Sequence, residues 1–383
     1  MTRISERIPL GADRPGTQRT LLVHRYGDPD ARPKAYLQAA LHADETPALL
    51  VAHHLVRLLD EAAKNGEILG QIVLVPYANP IGLDQIVNQG LSGRFELAGG
   101  GNFNRNWPDL FEPVCKQISE QLGDDDAANV ATIRQAINEQ LTGLSANSEL
   151  DRLRLTLARQ AADADLVLDL HCDDDALMHL YLLDAHWPEG RTLAAELGCR
   201  AVLLADDSGG GSFDECFATL WTRLSARFPE RPIPAACLAG TVELRGQADV
   251  SDALAEQDAR ALTRALQHHG MIDGEPGAPP ELQCEATRLE ACDILMAPAA
   301  GVLSYAVEIG QSVRAGDTLA WLVDPAADPA DDPAGGRQAI TARSDGLVLN
   351  RRLHKYVVAG LAIAKVVGTT PLAWRSEGQL MTD

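Results

Sequence analysis

His42 and Glu45 stand three residues apart where an apolar run ends, in the segment "LQAALHADETPALLVAHHL". The pair has two readings, metal ligands or solvated polar residues at the mouth of a loop. A third residue bears on the choice. His171 closes another apolar run, "LVLDLH", and by itself reads as a hydrogen-bonded histidine at a strand end sooner than as a ligand. Together His42, Glu45 and His171 supply two imidazoles and one carboxylate, the set that holds a catalytic zinc and leaves one position for water. Zinc lowers the pKa of such a water to about 7 and so makes a nucleophile at neutral pH. A base must then move the proton. Glu243 ends the apolar run in "GTVELRG", and an unpaired carboxylate there would be costly to bury. It is either that base or a salt-bridge partner of Arg245. The segment "SGRFELAGGGNFNRNWPD" adds Arg94, Asn104 and Arg105 to a glycine-rich loop. Arginine offers a carboxylate a planar, two-pronged grip, and a fixed cation also stabilises an oxyanion. Arg94 could equally lie on the surface, and Arg105 less so.

Elements must hold these residues in place. "KAYLQAAL" reads as a buried strand ending just before His42. Thr46 and Pro47 then suit the start of a helix running to about Lys64, with Gly66 as its stop. "QIVLVPYAN" reads as the next strand, so strand, helix and strand imply a parallel sheet. "DLVLDL", "HLYLLD", "AVLLAD" and "CLAGTVEL" continue the sheet, and helical spacing recurs at 189–197, 214–227 and 250–269. Residues 79–150 read as an excursion, first loop and then helix. In such sheets ligands bind at the carboxyl ends of the strands, which is where His42, Glu45, His171 and Glu243 fall. Asp169 precedes His171 by two residues and shares its side of a strand, so it could orient that imidazole. Cys172 would point the other way.

The order H-x-x-E, N-R, a histidine after a strand and a glutamate after another strand is similar to that of the zinc carboxypeptidases. It most resembles their succinylglutamate desuccinylase/aspartoacylase branch. The 126-position gap from Glu45 to His171 suits that branch. The resemblance implies His42, Glu45 and His171 as ligands of one Zn2+ per chain and Glu243 as the base. It implies Asn104 and Arg105 as a clamp on the substrate carboxylate and Arg94 as the group that polarises the scissile carbonyl. Arg94 stands eleven positions before Arg105, whereas the family arginine falls closer, where this chain has Leu97. A family tyrosine near the substrate has Tyr305 and Tyr356 as candidates.

Proline and glycine in "DGEPGAPPE" mark a linker. Beyond it lies a short repeat, with Gly301, Gly310, Val313, Gly316 and Leu319 in its first half and Gly346, Val357, Gly360 and Ile363 in its second. Two β-halves imply a small barrel similar to the biotinyl/lipoyl carrier fold. No lysine lies between Gly301 and Gly346, so the fold is expected without the carrier role. The expected architecture is thus α/β, a mostly parallel mixed sheet flanked by helices over residues 1–272, with a small all-β barrel over 285–383.

The chain has 383 residues, 46% of them hydrophobic and 23% charged, with a formal net charge of -21. That charge argues against nucleic acid or an anionic membrane as partner. It favours a soluble protein that repels itself at a distance, with a homo-oligomer left open. The N-terminal stretch lacks the apolar core of a signal peptide, no apolar run is long enough to span a membrane, and the seven scattered cysteines suit a reducing cytoplasm. The reading that follows is a zinc-dependent amidohydrolase removing an N-acyl group from an amino acid or related small carboxylate. A metallocarboxypeptidase on short peptides is the alternative, and a non-catalytic binding protein is a second.

Overall fold

The computed structural model describes residues 2–11, 15–328 and 334–375. Nine strands form one sheet. Their order is Ile4–Pro9, Thr20–Tyr26, Gln71–Val75, Lys34–Ala39, Leu166–Asp173, Leu238–Gly246, His179–Leu182, Ala201–Leu204 and Ala286–Arg288. The centre is parallel, Lys34–Ala39 pairing with Gln71–Val75 and Leu166–Asp173, and the latter with Leu238–Gly246. His179–Leu182 runs antiparallel to Leu238–Gly246, so the sheet is mixed.

Alternation along the strands explains why both faces are covered. Tyr36, Val73, Val167 and Ala239 point into one apolar cluster; Ala35, Leu37, Ile72, Leu74, Leu166 and Leu168 point into another on the opposite side. Successive strand residues face opposite ways, so near-continuous apolar runs need helices on each side. Phe111–Ile118, Asp126–Gly143, Glu149–Ala161 and Phe213–Arg227 contribute to the first cluster, and Pro47–Asn65, Trp187–Leu197 and Asp252–His268 to the second. The Pro47 start and the Gly66 stop hold, with Gly66 at φ 78°; Thr46 occupies the N-cap without a side-chain hydrogen bond. Asp125 caps the second of these helices by accepting from the Ala128 N–H.

Two strands run further than the sequence suggests. Leu166–Asp173 continues past Leu170 to take in His171, and Leu238–Gly246 continues two residues past Leu244. His171 and Glu243 therefore sit inside paired strands, directly across from each other. Polar residues do not end a strand when the neighbouring strand supplies its hydrogen bonds and the side chains have polar company.

The C-terminal strands form two further sheets around a core of their own. The repeat is visible strand by strand: Gly301–Tyr305, Ser312–Val313 and Thr318–Val323 match Gly346–Arg351, Tyr356–Val357 and Ala362–Val367. The halves clasp each other. Gly301–Tyr305 pairs with Tyr356–Val357, and Ser312–Val313 pairs with Gly346–Arg351. Residues 329–333, on the hairpin where a carrier would hold its lysine, lie outside the described residues. The two regions also trade strands. Ala286–Arg288 joins the edge of the large sheet, while Asp175–Ala176 pairs with Gly346–Arg351 in a C-terminal sheet.

Candidate active site

The face of the large sheet that carries Tyr36 and Val167 changes character towards the carboxyl ends of its parallel strands. Gln38 pairs with Asp169 across one ladder. On the next ladders Thr241 pairs with Asp169 and Tyr181, and Glu243 with His171 and His179. Pairing residues share a face, so the register alone collects these polar side chains into one patch.

His42 and Glu45 reach the patch from the turn between Lys34–Ala39 and the helix Pro47–Asn65. Ala40 enters that turn with φ 56°, an unusual conformation for a residue with a side chain. Both histidines direct Nδ1 at Glu45: His42 Nδ1 is 2.9 Å from Oε1 and His171 Nδ1 is 2.7 Å from Oε2. One donor atom from each of the three lies within 4.8 Å of the others, and all three residues are buried. The outer ring nitrogens have partners of their own. His42 Nε2 is 2.9 Å from Asn102 Oδ1, and His171 Nε2 is 2.9 Å from Asp169 Oδ2. Asp169 is itself held, as Oδ1 accepts from Gln38 Nε2, whose Oε1 accepts from Tyr36 Oη. Such outer partners fix ring orientation in metal sites. The donor set therefore fits one divalent metal of the kind that takes nitrogen and oxygen ligands.

The electrostatics agree with the crowding. Burial lowers the pKa of His42 against the pull of Glu45. Burial acts likewise on His171, but Asp169 and Glu45 outweigh it and hold that imidazole well above its ordinary value. Burial works against the Glu45 carboxylate too; the two histidines win and keep it well below the usual carboxylate range. Glu243 goes the other way. Burial raises it first, and the nearby charges of Glu45 and Asp173 add to that, for a pKa of about 8. It has no ion pair with Arg245, which pairs with Asp258 instead.

A cavity of about 120 Å3 opens over the patch, and its lining includes His42, Glu45, His171 and Glu243 together with Arg94, Asn104 and Arg105. All seven candidates from the sequence thus surround one space. Arg94 owes its place to Gly93: a Cβ there would lie 2.2 Å from the Asp44 backbone nitrogen, so glycine lets this loop press against the His42–Glu45 turn. Arg94 Nη1 ends 3.4 Å from Glu45 Oε1 and 3.3 Å from His42 Nδ1. Leu97, at the family arginine's spacing, is exposed. The Asn104 carboxamide oxygen accepts from Trp107 Nε1 and from the Phe213 N–H, which ties the loop to the helix Phe213–Arg227. Arg105 Nη1 donates to the Asn104 carbonyl at 2.8 Å, and a Cβ on Gly210 would come within 2.7 Å of its Nε.

Other residues resolve differently. The Cys172 side chain packs in the opposite core, as expected, while its N–H donates to Glu45 Oε2 at 3.1 Å. Tyr305 hydrogen-bonds to the Ile363 carbonyl and the Arg352 N–H, and Tyr356 is exposed; the tyrosine on the cavity wall is Tyr181. Sequence reasoning passed over Tyr181, Asn102, Asp173 and Lys365. A lysine inside "AIAKVV" was a usable signal, because a buried ammonium needs a partner.

The chain matches the sequence profile of the succinylglutamate desuccinylase/aspartoacylase catalytic domain over residues 31–269. No curated protein matches it. Among solved structures, a candidate succinylglutamate desuccinylase/aspartoacylase from Shewanella frigidimarina NCIMB 400 is 26% identical with a TM-score of 0.85, over 96% of this chain and 98% of that one. A candidate family protein from Shewanella amazonensis SB2B gives 26% and 0.82 over the same shares. The product-bound ectoine utilization protein EutE (DoeB) from Ruegeria pomeroyi shares the fold at 18% identity and a TM-score of 0.66, over 96% of this chain and 95% of that one. With a profile match over more than half of its length, the chain belongs to the succinylglutamate desuccinylase/aspartoacylase family.

Proposed function

We propose that the protein is a zinc-dependent amidohydrolase that removes an N-acyl group from an amino acid or a related small carboxylate. One observation carries the reading: the His42, Glu45 and His171 donors, the raised Glu243 carboxyl and the Arg94, Asn104 and Arg105 side chains share a single cavity. Bound at the three donors, zinc supplies Lewis acidity that activates water and polarises a carbonyl. Glu243 takes the proton from the attacking water and returns it to the leaving amine. A carboxyl with its pKa near neutrality suits a group that must do both. Arg105, backed by Asn104, grips the free carboxylate of the substrate. Arg94, beside Glu45, faces the oxygen on which negative charge grows during attack. The same parts would serve a metallocarboxypeptidase. The small cavity, lined in part by Lys365 from the C-terminal strands, favours single acylated amino acids over peptides.

The test incubates the zinc-loaded protein with N-acetyl and N-succinyl amino acids and with short peptides, and detects released amine. Release from acyl amino acids above that from peptides is expected. Cleavage of peptides alone would move the assignment to the carboxypeptidase, and no release from either would remove it.

A further inference from the structure

His171 and Cys172 are followed by three aspartates, Asp173, Asp174 and Asp175, and each meets a cation from the C-terminal strands. Lys365 Nζ forms a close ion pair with Asp173, Arg352 Nη1 lies 3.8 Å from Asp174, and Arg351 Nη2 lies 2.9 Å from Asp175. The last two pairs accompany the strand pairing of Asp175–Ala176 with Gly346–Arg351 and account for docking. Lys365 differs. It is buried within an otherwise apolar strand, and it lines the same cavity as Glu243 and His171. Asp173 lies two residues beyond His171, so the two share one side of one strand. Glu243 Oε2 and Tyr181 Oη are buried nearby without a hydrogen-bond partner. A lysine has three donors, and docking alone would not call for one at this place, where its burial is costly.

We propose that Lys365 is a positioning residue of the hydrolytic site, contributed by the C-terminal strands: it clamps Asp173 at the end of the His171 strand and holds the Glu243 carboxyl towards the cavity. This rests on the hydrolase reading above. Lys365 touches no reacting atom; it acts through Asp173 and Glu243. If the pair were only mortar between two regions, an apolar side chain of equal length would replace it well once Asp173 is neutral too.

The experiment uses the full chain. Lys365→Ala opens a slot the size of propylammonium beside the cavity. The expected result is a kcat lower by roughly 10–100-fold, the range for residues that orient a metal site from outside it, with KM nearly unchanged. Added propylammonium should recover much of the loss in Lys365→Ala and do nothing to the native protein. Lys365→Met fills the slot without charge and should be slow and unrescued. The Asp173→Asn/Lys365→Met pair, which leaves no lone buried charge and so guards against misfolding, should stay slow. Native kcat in the double variant, or a Lys365→Ala loss that propylammonium leaves untouched, overturns the proposal. Cobalt(II) loaded in place of zinc gives a readout without turnover. Its visible absorption should change in Lys365→Ala and return with propylammonium. If the native chain hydrolyses no substrate, the hydrolase reading falls and this spectrum decides alone, an unchanged band overturning the positioning role.

Discussion

Glu243 is the residue on which the proposed chemistry turns. It sits in mid-strand opposite His171, deprived of water and close to two other carboxylates, and it does not pair with the arginine two residues on. Glu243→Gln keeps the shape and loses the ability to accept a proton. The variant should bind metal and melt like the native protein while turnover falls ~10²–10⁴-fold; steady-state rates with metal content measured alongside check this. Arg105 supports a second expectation. Converting the substrate carboxylate to an amide or methyl ester should lower kcat/KM strongly in the native protein, by an amount on the order of 2–5 kcal/mol for a buried charge pair deprived of one partner. The same change should matter little in Arg105→Ala, and the two-way comparison isolates the contact. Equal rates on free and blocked substrates would remove the clamp. The residues of the proposed ligand set were legible because His42 and Glu45 stand where an apolar run meets a turn and His171 follows another apolar run. The apolar run around Lys365 signals a buried ammonium, but its partner Asp173 is far away in sequence, and only the folded chain brings the two together.

Elements place these side chains, and two glycines show how closely. Gly93 brings one loop against the backbone of Asp44, and Gly210 brings another against the Arg105 guanidinium. Gly210→Ala should push Arg105 aside. Since Arg105 is proposed to bind the substrate, KM should rise several-fold with kcat little altered, the signature of lost uniform binding. A fall in kcat alone would show that the loop serves the chemical step instead. At this scale the sequence yielded the six inner strands of the large sheet but not their ends, and it missed Ile4–Pro9, Thr20–Tyr26 and Ala286–Arg288. The reading ended strands at Leu170 and Leu244, whereas they run to Asp173 and Gly246; the ladder partners and polar neighbours that keep the strands going are distant in sequence. The excursion over residues 79–150 was read only as loop and helix. Its short strands, such as Phe95–Glu96 with Gly101–Asn102, are two residues long and leave no periodicity to detect.

For the molecule as a whole, the first quantity to measure is metal. Protein purified without added metal should carry about one divalent ion per chain, zinc by its nitrogen and oxygen donors. A His42→Ala/His171→Ala double variant should carry none, and retained metal would place the site elsewhere. Chelation should also lower the melting temperature, because a ligand that binds only the folded state stabilises it. None of the described helices is long and apolar enough to cross a membrane. The repeat beyond the linker was legible from its glycines, and Gly316 and Gly360 do take positive φ at matching turns. The clasp between its halves was not, since spacing reveals that two units are alike without revealing how they pair.

The exchange of strands between the two regions has a consequence for the covalent chain. The segment after the linker gives Ala286–Arg288 to the large sheet, and the segment before it gives Asp175–Ala176 to a C-terminal sheet. Each part completes the other, so the peptide link through the exposed stretch around Glu275–Glu281 is not what keeps them together. A protease that nicks there should leave both fragments eluting as one species and still active. Genes for residues 1–278 and 279–383, expressed together, should reconstitute a working protein that neither yields alone. In heredity terms, the chain is one fission away from being an obligate two-subunit enzyme.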